Sequence, residues 1–255
     1  MSERICSSEV KLTPDDLRRM ERAHVKAWPA LRTQRVDGWL WRSSGGGSQR
    51  ANSVSTLDYE GADPVFSLEK VETLYRETGA PTRLQSFSGS RPGNLATLLS
   101  ARGYTEGETT LTMAKPLEAL PSAPPIEISE RATPEWLEVY LGVITENRRA
   151  VNSKIIEGIP RPRAFFVHRQ AGRAVSTALC VVHEDCAVIE CVATRADARG
   201  QGAAMSVLSA LEAWALGEGA RLLGLQVSEG NSPALALYAR LGFAAVDRNR
   251  FWLRD

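Results

Sequence analysis

The chain has 255 residues, enough for one large domain or two small ones, and 43% of them are hydrophobic, which supports a sizeable core. Its 31 basic and 30 acidic residues nearly cancel, so nothing points to a nucleic-acid binder working by bulk charge. No apolar run is long enough to span a membrane, and the N-terminus, MSERICSSEV, lacks a signal-peptide core; a cytoplasmic protein with neither a membrane nor a nucleic-acid partner is expected, as a monomer or homodimer.

The elements follow in order. Thr13 can cap a helix running to Ala27, with Leu17, Met20, His24 and Ala27 along one face. Extended runs are expected over 38–42 and 50–56, with SSGGGS (43–48) as the turn between them. A helix over 67–77 ends at Gly79. A strand over 82–87, a helix over 94–102 closed by Gly103-Tyr104, and a strand over 109–114 complete the first half. The proline-rich stretch 116–125 reads as a semi-rigid linker, dividing the chain into 1–115 and 126–255. Helices are then expected near 133–143 and 145–156, and strands over 164–169, 174–183 and 188–193. A long helix begins at Ala203, and a strand over 221–227, a helix over 233–241 and a last strand over 245–253 follow. The halves read as an internal repeat: Gly79-Ala80 answers to Gly219-Ala220, and Gly103-Tyr104 to Gly242-Phe243.

The chemistry concentrates where a strand, Val188 to Ala193, runs through Arg199-Gly200-Gln201-Gly202 into the helix that opens with Ala203 and Ala204. The first N–H groups of a helix lack partners and carry partial positive charge, and glycines let an anion approach closely. No Gly-Lys-Ser/Thr follows, which excludes a P-loop, and three glycines at dinucleotide-fold spacing are absent. Cys6, Cys180, Cys186 and Cys191 have neither zinc-ligand nor redox spacing, and His24, His168 and His183 are scattered. Buried reduced thiols and no metal are expected.

Arg199, Gly202 and Ala204 match the pyrophosphate loop Arg/Gln-x-x-Gly-x-Gly/Ala of the GNAT superfamily of N-acetyltransferases. Asn231, Ala234, Tyr238, Gly242 and Phe243 match its second signature, Asn-x-x-Ala-x-x-x-Tyr-x-x-x-Gly-Phe, in the family's order and with a strand between the two. The chain thus resembles tandem two-domain bacterial GNAT proteins. The resemblance implies an α/β (α+β) fold of two GNAT-like domains, each a mixed, mostly antiparallel central sheet flanked by helices. It also implies acetyl-CoA as co-substrate and an amine-bearing acceptor. The first half has Glu60, Asp63 and Pro64 where the second has its loop; two carboxylates and a missing N–H oppose a pyrophosphate, so one acetyl-CoA site is expected.

Carried over residue by residue, the resemblance puts the thioester against Val192, Ala193 and Thr194, with the Val192 N–H as oxyanion donor, and the pyrophosphate on Arg199 to Ala204. Glu190, nine residues before Arg199, occupies the spacing of a functional glutamate in diamine acetyltransferases and is the expected base. An ion pair with an arginine on a neighbouring strand is its structural alternative, and Glu184 and Asp185 are second choices. Tyr238 is the expected acid for the leaving thiolate, or a core residue; Asn231 caps its helix or contacts the pantetheine arm. Trp28, Trp39 and Trp41 line an acceptor pocket or pack the core. A non-catalytic acyl-CoA sensor on the same fold is the alternative to an enzyme.

Overall fold

The computed structural model describes residues 12–118 and 125–255, so most of the proline-rich stretch, as well as Cys6, lies outside the described residues. The first half holds α1 (Pro14–Ala27), β1 (Arg32–Val36), β2 (Trp39–Ser43), a 3-10 turn (Arg50–Asn52), β3 (Val54–Ser55), α2 (Pro64–Glu77), β4 (Thr82–Ser86), α3 (Leu95–Ala101) and β5 (Thr105–Pro116). The second holds β6 (Glu127–Ser129), α4 (Pro134–Val143), α5 (Glu146–Glu157), β7 (Arg163–Gln170), β8 (Arg173–His183) and β9 (Cys186–Thr194). After these come α6 (Ala203–Gly217), β10 (Leu222–Ser228), α7 (Ser232–Arg240) and β11 (Ala244–Arg254).

All eleven strands join one sheet in the order β1-β2-β3-β4-β11-β5-β10-β9-β8-β7-β6. Pairing is antiparallel except for β3 with β4 and β9 with β10, one parallel pair in each half. The centre of the sheet is a reciprocal exchange. The first half's last strand, β5, pairs with β10, and the second half's last strand, β11, pairs with β4. The two exchanged strands also pair with each other.

The sequence reading misplaces the first hairpin. Its turn is Asp37-Gly38, where φ is 48° and 91°, between the register pair Val36 and Trp39. Two residues at positive φ make the type I′ turn that suits strand twist, and Asp-Gly is its usual sequence. The missed strand β1 is an edge strand with only Val36 buried, so it carries no alternation to read. The strand expected over 50–56 shrinks to β3, because 50–52 coil into a 3-10 turn. Asp63 and Pro64 start α2: the carboxylate accepts from the Val65 N–H at 2.8 Å, and Pro64 takes the first helical position.

Packing follows the exchange. Trp39, Trp41, Leu68, Tyr75 and Leu84 form the first half's core together with Trp252 of β11. Met20, Ala23 and Ala27 of α1, with Trp28 at its C-cap, pack instead with Trp136, Ile155, Phe165 and Val188 of the second half. Gly224 on β10 makes room for α1: a Cβ there would stand 2.4 Å from the Met20 sulfur. The other face of β7 to β10 packs on α6 and α7 through Phe166, Val207, Leu211 and Phe243. Where α1 meets the exchanged strands, buried Glu21 accepts from Thr112 Oγ1 at 2.8 Å, Asn249 Nδ2 at 3.1 Å and Gln226 Nε2 at 3.1 Å. Among the described residues no helix is long and apolar enough to cross a membrane.

The exchange leaves each half incomplete alone. A fragment of residues 125–255 bares the β10 edge and the sheet face that α1 covers. Residues 1–118 and 125–255 produced separately are expected to aggregate or to melt without a cooperative transition, and to copurify as one folded complex when produced together. A monomeric 125–255 fragment with cooperative unfolding contradicts this.

Candidate active site

The site begins where two parallel strands part. β9 and β10 pair only at Cys186 with Leu222, Ala187 with Leu223 and Val188 with Gly224. Both strands run on, β9 to Thr194 and β10 to Ser228, without further pairing to each other. Backbone groups on the facing edges must therefore find other partners. Between them opens a cavity of about 1240 Å³, lined by Glu190, Val192, Ala193 and Thr194 on one wall and Gln226 and Ser228 on the other. A bulge bends β9 at this point: Cys191 and Val192 stand opposite the single residue Ala178, and Cys191 has φ of 55°.

One end of the cavity is the start of α6. Gly202 caps that helix in the left-handed region at φ of 82°, which favours glycine strongly, and among the described residues no side chain accepts from the first N–H groups. Ser206 donates to the Gly202 carbonyl at 3.0 Å, the first intrahelical bond. The N–H groups of Ala203, Ala204 and Met205 have no protein acceptor among the described residues, and all three residues line the cavity. Bare donors, the helix dipole and an open approach are the features that suit an anion. Arg199 and Gly200 line it as well. Gln201 faces away, its side-chain amide donating to the Asp197 carbonyl at 3.0 Å.

Asn231 and Ala234 also reach the cavity. Asn231 is the cap of α7, its Oδ1 accepting from the Ala234 N–H at 3.3 Å. Tyr238, one turn on, packs against Phe243 with ring centroids 5.9 Å apart. Its hydroxyl makes no hydrogen bond among the described residues. Burial, with the Glu190 charge adding, pushes this phenol up to about 12, so it stays protonated at neutral pH.

Glu190 is 6% exposed, and both its oxygens are held: Arg50 Nη1 donates to Oε1 at 2.6 Å and Nη2 to Oε2 at 2.7 Å. The ion pair weighed from sequence exists, but its arginine comes from the 3-10 turn of the other half, not from a neighbouring strand. Glu184 and Asp185 lie at the opposite end of β9 and do not line the cavity. Of the three tryptophans, only Trp28 lines it; Trp39 and Trp41 belong to the first half's core. The buried Cys180 and the half-buried Cys191, which lines the cavity, are thiols pushed well up by desolvation, and burial also pushes Cys186 up, to about 12.

The far wall of the cavity was not foreseen. Ser48, Gln49 and Arg50 from the loop after β2, Glu108 and Thr110 of β5, and Phe251 of β11 face the second half's loop and helix. One sequence signal pointed there. A glutamate inside an apolar strand requires a buried countercharge, and few of the first half's arginines lie in a glycine-rich loop.

A model of the family described as "Probable histone acetyltransferase Rv0428c C-terminal" matches residues 14–252. "Uncharacterized N-acetyltransferase YobR" of Bacillus subtilis (strain 168) is 26% identical over 251 residues, covering 94% of this chain and 99% of that protein. Among solved structures, a GCN5-related N-acetyltransferase from Kribbella flavida superposes with a TM-score of 0.67 at 17% identity, covering 93% of this chain and 95% of that one. A tandem GNAT protein from the clavulanic acid biosynthesis pathway superposes with a TM-score of 0.60 at 15% identity, covering 79% and 74%. With the family model matching nearly end to end, the chain belongs to that acetyltransferase family and is an N-acetyltransferase of the GNAT type.

Proposed function

We propose that the protein transfers an acetyl group from acetyl-CoA to a primary amine of a small molecule or peptide, by direct attack on the thioester. The observation that carries this reading is the opened β9–β10 cleft leading to the bare N-terminus of α6. A pyrophosphate fits the unpartnered N–H groups after Arg199, Gly200 and Gln201, with Gly202, Ala203 and Ala204 closing the cradle. The pantetheine arm fits along Val192, Ala193 and Thr194, where β9 has no strand beside it, with Asn231 and Ala234 on the other side. The Val192 N–H, set in the bulge, is the oxyanion donor, an interaction worth about 3 kcal/mol in comparable sites.

Glu190 takes a proton from the acceptor's ammonium group, and Tyr238 supplies one to the departing thiolate. The halves divide the work: the second holds acetyl-CoA, while the first, whose α2 start is capped by Asp63, supplies the facing wall. As two domains in tandem joined through 116–125, the chain then has one acyl-donor site. The family's description names histone acetylation, so lysine-bearing peptides belong in the acceptor panel beside 1,3-diaminopropane and glucosamine.

Calorimetry with acetyl-CoA is expected to give one site per chain, and Gly202→Glu to abolish it, since the new carboxylate strains φ and opposes the phosphates. Two equivalent sites, or unaltered binding by the variant, contradict the assignment. Release of free thiol from acetyl-CoA should be accelerated by at least one amine of the panel.

Tyr238→Phe removes a proton donor and little volume. Its melting temperature should stay near that of the parent, because the hydroxyl has no hydrogen-bond partner among the described residues to leave unpaired. Turnover should fall roughly tenfold or more, in kcat rather than KM, as for an interaction made mainly in the transition state. A destabilised variant with full activity per folded molecule shows instead that Tyr238 is a packing residue.

A further inference from the structure

Arg50 owes its place to the loop before it. The Asn52 side-chain amide donates to Gly46 O at 2.6 Å and Ser48 O at 2.7 Å, while its Oδ1 accepts from the Ser44 N–H at 2.8 Å. Ser53 Oγ donates to the Arg50 carbonyl at 3.1 Å. At Gly47 a Cβ would stand 2.9 Å from Val151 of α5, so the loop lies flat against the second half. The Arg50 guanidinium lies 5.9 Å from the centroid of the Trp28 ring and spends two donors on one carboxylate.

We propose that Arg50, delivered by the first half, is a positioning residue for acetyl transfer: it fixes the place and the rotation of the Glu190 carboxylate in the cavity wall. This rests on the reading of Glu190 as the proton acceptor. A carboxylate taken out of water is costly to bury without a paired countercharge. The groups around the pair supply none. His24 of α1 is kept neutral by burial and by Arg50 itself, at about 3. Tyr140 of α4, Cys191 of β9 and Tyr238 of α7 are all pushed upward and stay uncharged. Arg148 of α5 lines the cavity but does not bond Glu190. The bidentate fork also fixes the rotation of the carboxylate, which a point charge does not.

The proton balance closes as follows. The ammonium gives one proton to Glu190, and the free amine attacks the thioester carbon. The C–N bond forms, the C–S bond breaks, and the thiolate takes the Tyr238 proton. The remaining ammonium-type proton of the new amide restores Tyr238, and Glu190 returns its own to solvent.

The test reads thiol release from acetyl-CoA with the best amine of the panel, beside acetyl-CoA binding by calorimetry. Glu190→Gln should lower kcat at pH 7 by about a hundredfold and recover at high pH. Arg50→Met should lower kcat roughly tenfold or more with the amine KM little changed, and leave acetyl-CoA affinity within about twofold. Arg50→Lys, which keeps the charge but not the fork, should recover only part of that rate. Because Arg50 acts through the carboxylate, the double variant Arg50→Met/Glu190→Gln, which buries no lone charge, should be no slower than Glu190→Gln. Should Arg50→Met fold poorly, Arg50→Lys and the double variant carry the test. Full kcat in Arg50→Lys or Arg50→Met, or a double variant much slower than Glu190→Gln, with Glu190→Gln itself slow, overturns the role of Arg50 alone. Full activity of Glu190→Gln overturns the reading of Glu190 beneath it.

Discussion

The parting of β9 from β10 after Val188 and Gly224 is the constraint on which the site depends. Backbone N–H and C=O groups inside a protein must be satisfied, and a sheet that opens at its centre leaves a row of them facing a gap. A chain that kept the ladder closed would have no cavity. This one opens it, bends β9 with a bulge at Cys191 and Val192, and sets a helix N-terminus with free donors at one end. A ligand with an amide-bearing arm and an anionic end satisfies both sets of groups together.

The exchange of β5 and β11 decides what faces that gap. Because β5 lies against β10, the first half reaches across the sheet and places Glu108 and Thr110 on the cavity wall. Because α1 packs with α4 and β9, Trp28 arrives beside Arg50. Breaking a buried pair such as Arg50–Glu190 by removing one partner typically costs about 3–5 kcal/mol. The same contact joins the halves at the wall of the cavity.

Apart from β1, β6 and the turn at 50–52, the order of elements was legible in the sequence, as were the loop from Arg199 to Ala204, the cap at Asn231 and the helix bearing Tyr238, because glycine placement and helical spacing are local signals. The first hairpin was legible too, in Asp37-Gly38, but the glycine run at 45–47 is the louder turn signal and drew the reading away. Arg50 was legible only as the need for some countercharge to Glu190, not as this residue. Whether 50–52 coil or extend depends on Asn52 gripping Gly46 and Ser48, and alternation of residue types does not report that. Its partner Glu190 lies 140 positions away, and which strand pairs with which across an internal repeat is set by packing of the whole sheet.

Amide hydrogen exchange with and without acetyl-CoA tests the central claim most directly. The account predicts slowed exchange at residues 200–205 and 192–194 on addition of the cofactor, with no change at 64–67, the start of α2. Protection at the start of α2 with none at 200–205 contradicts it.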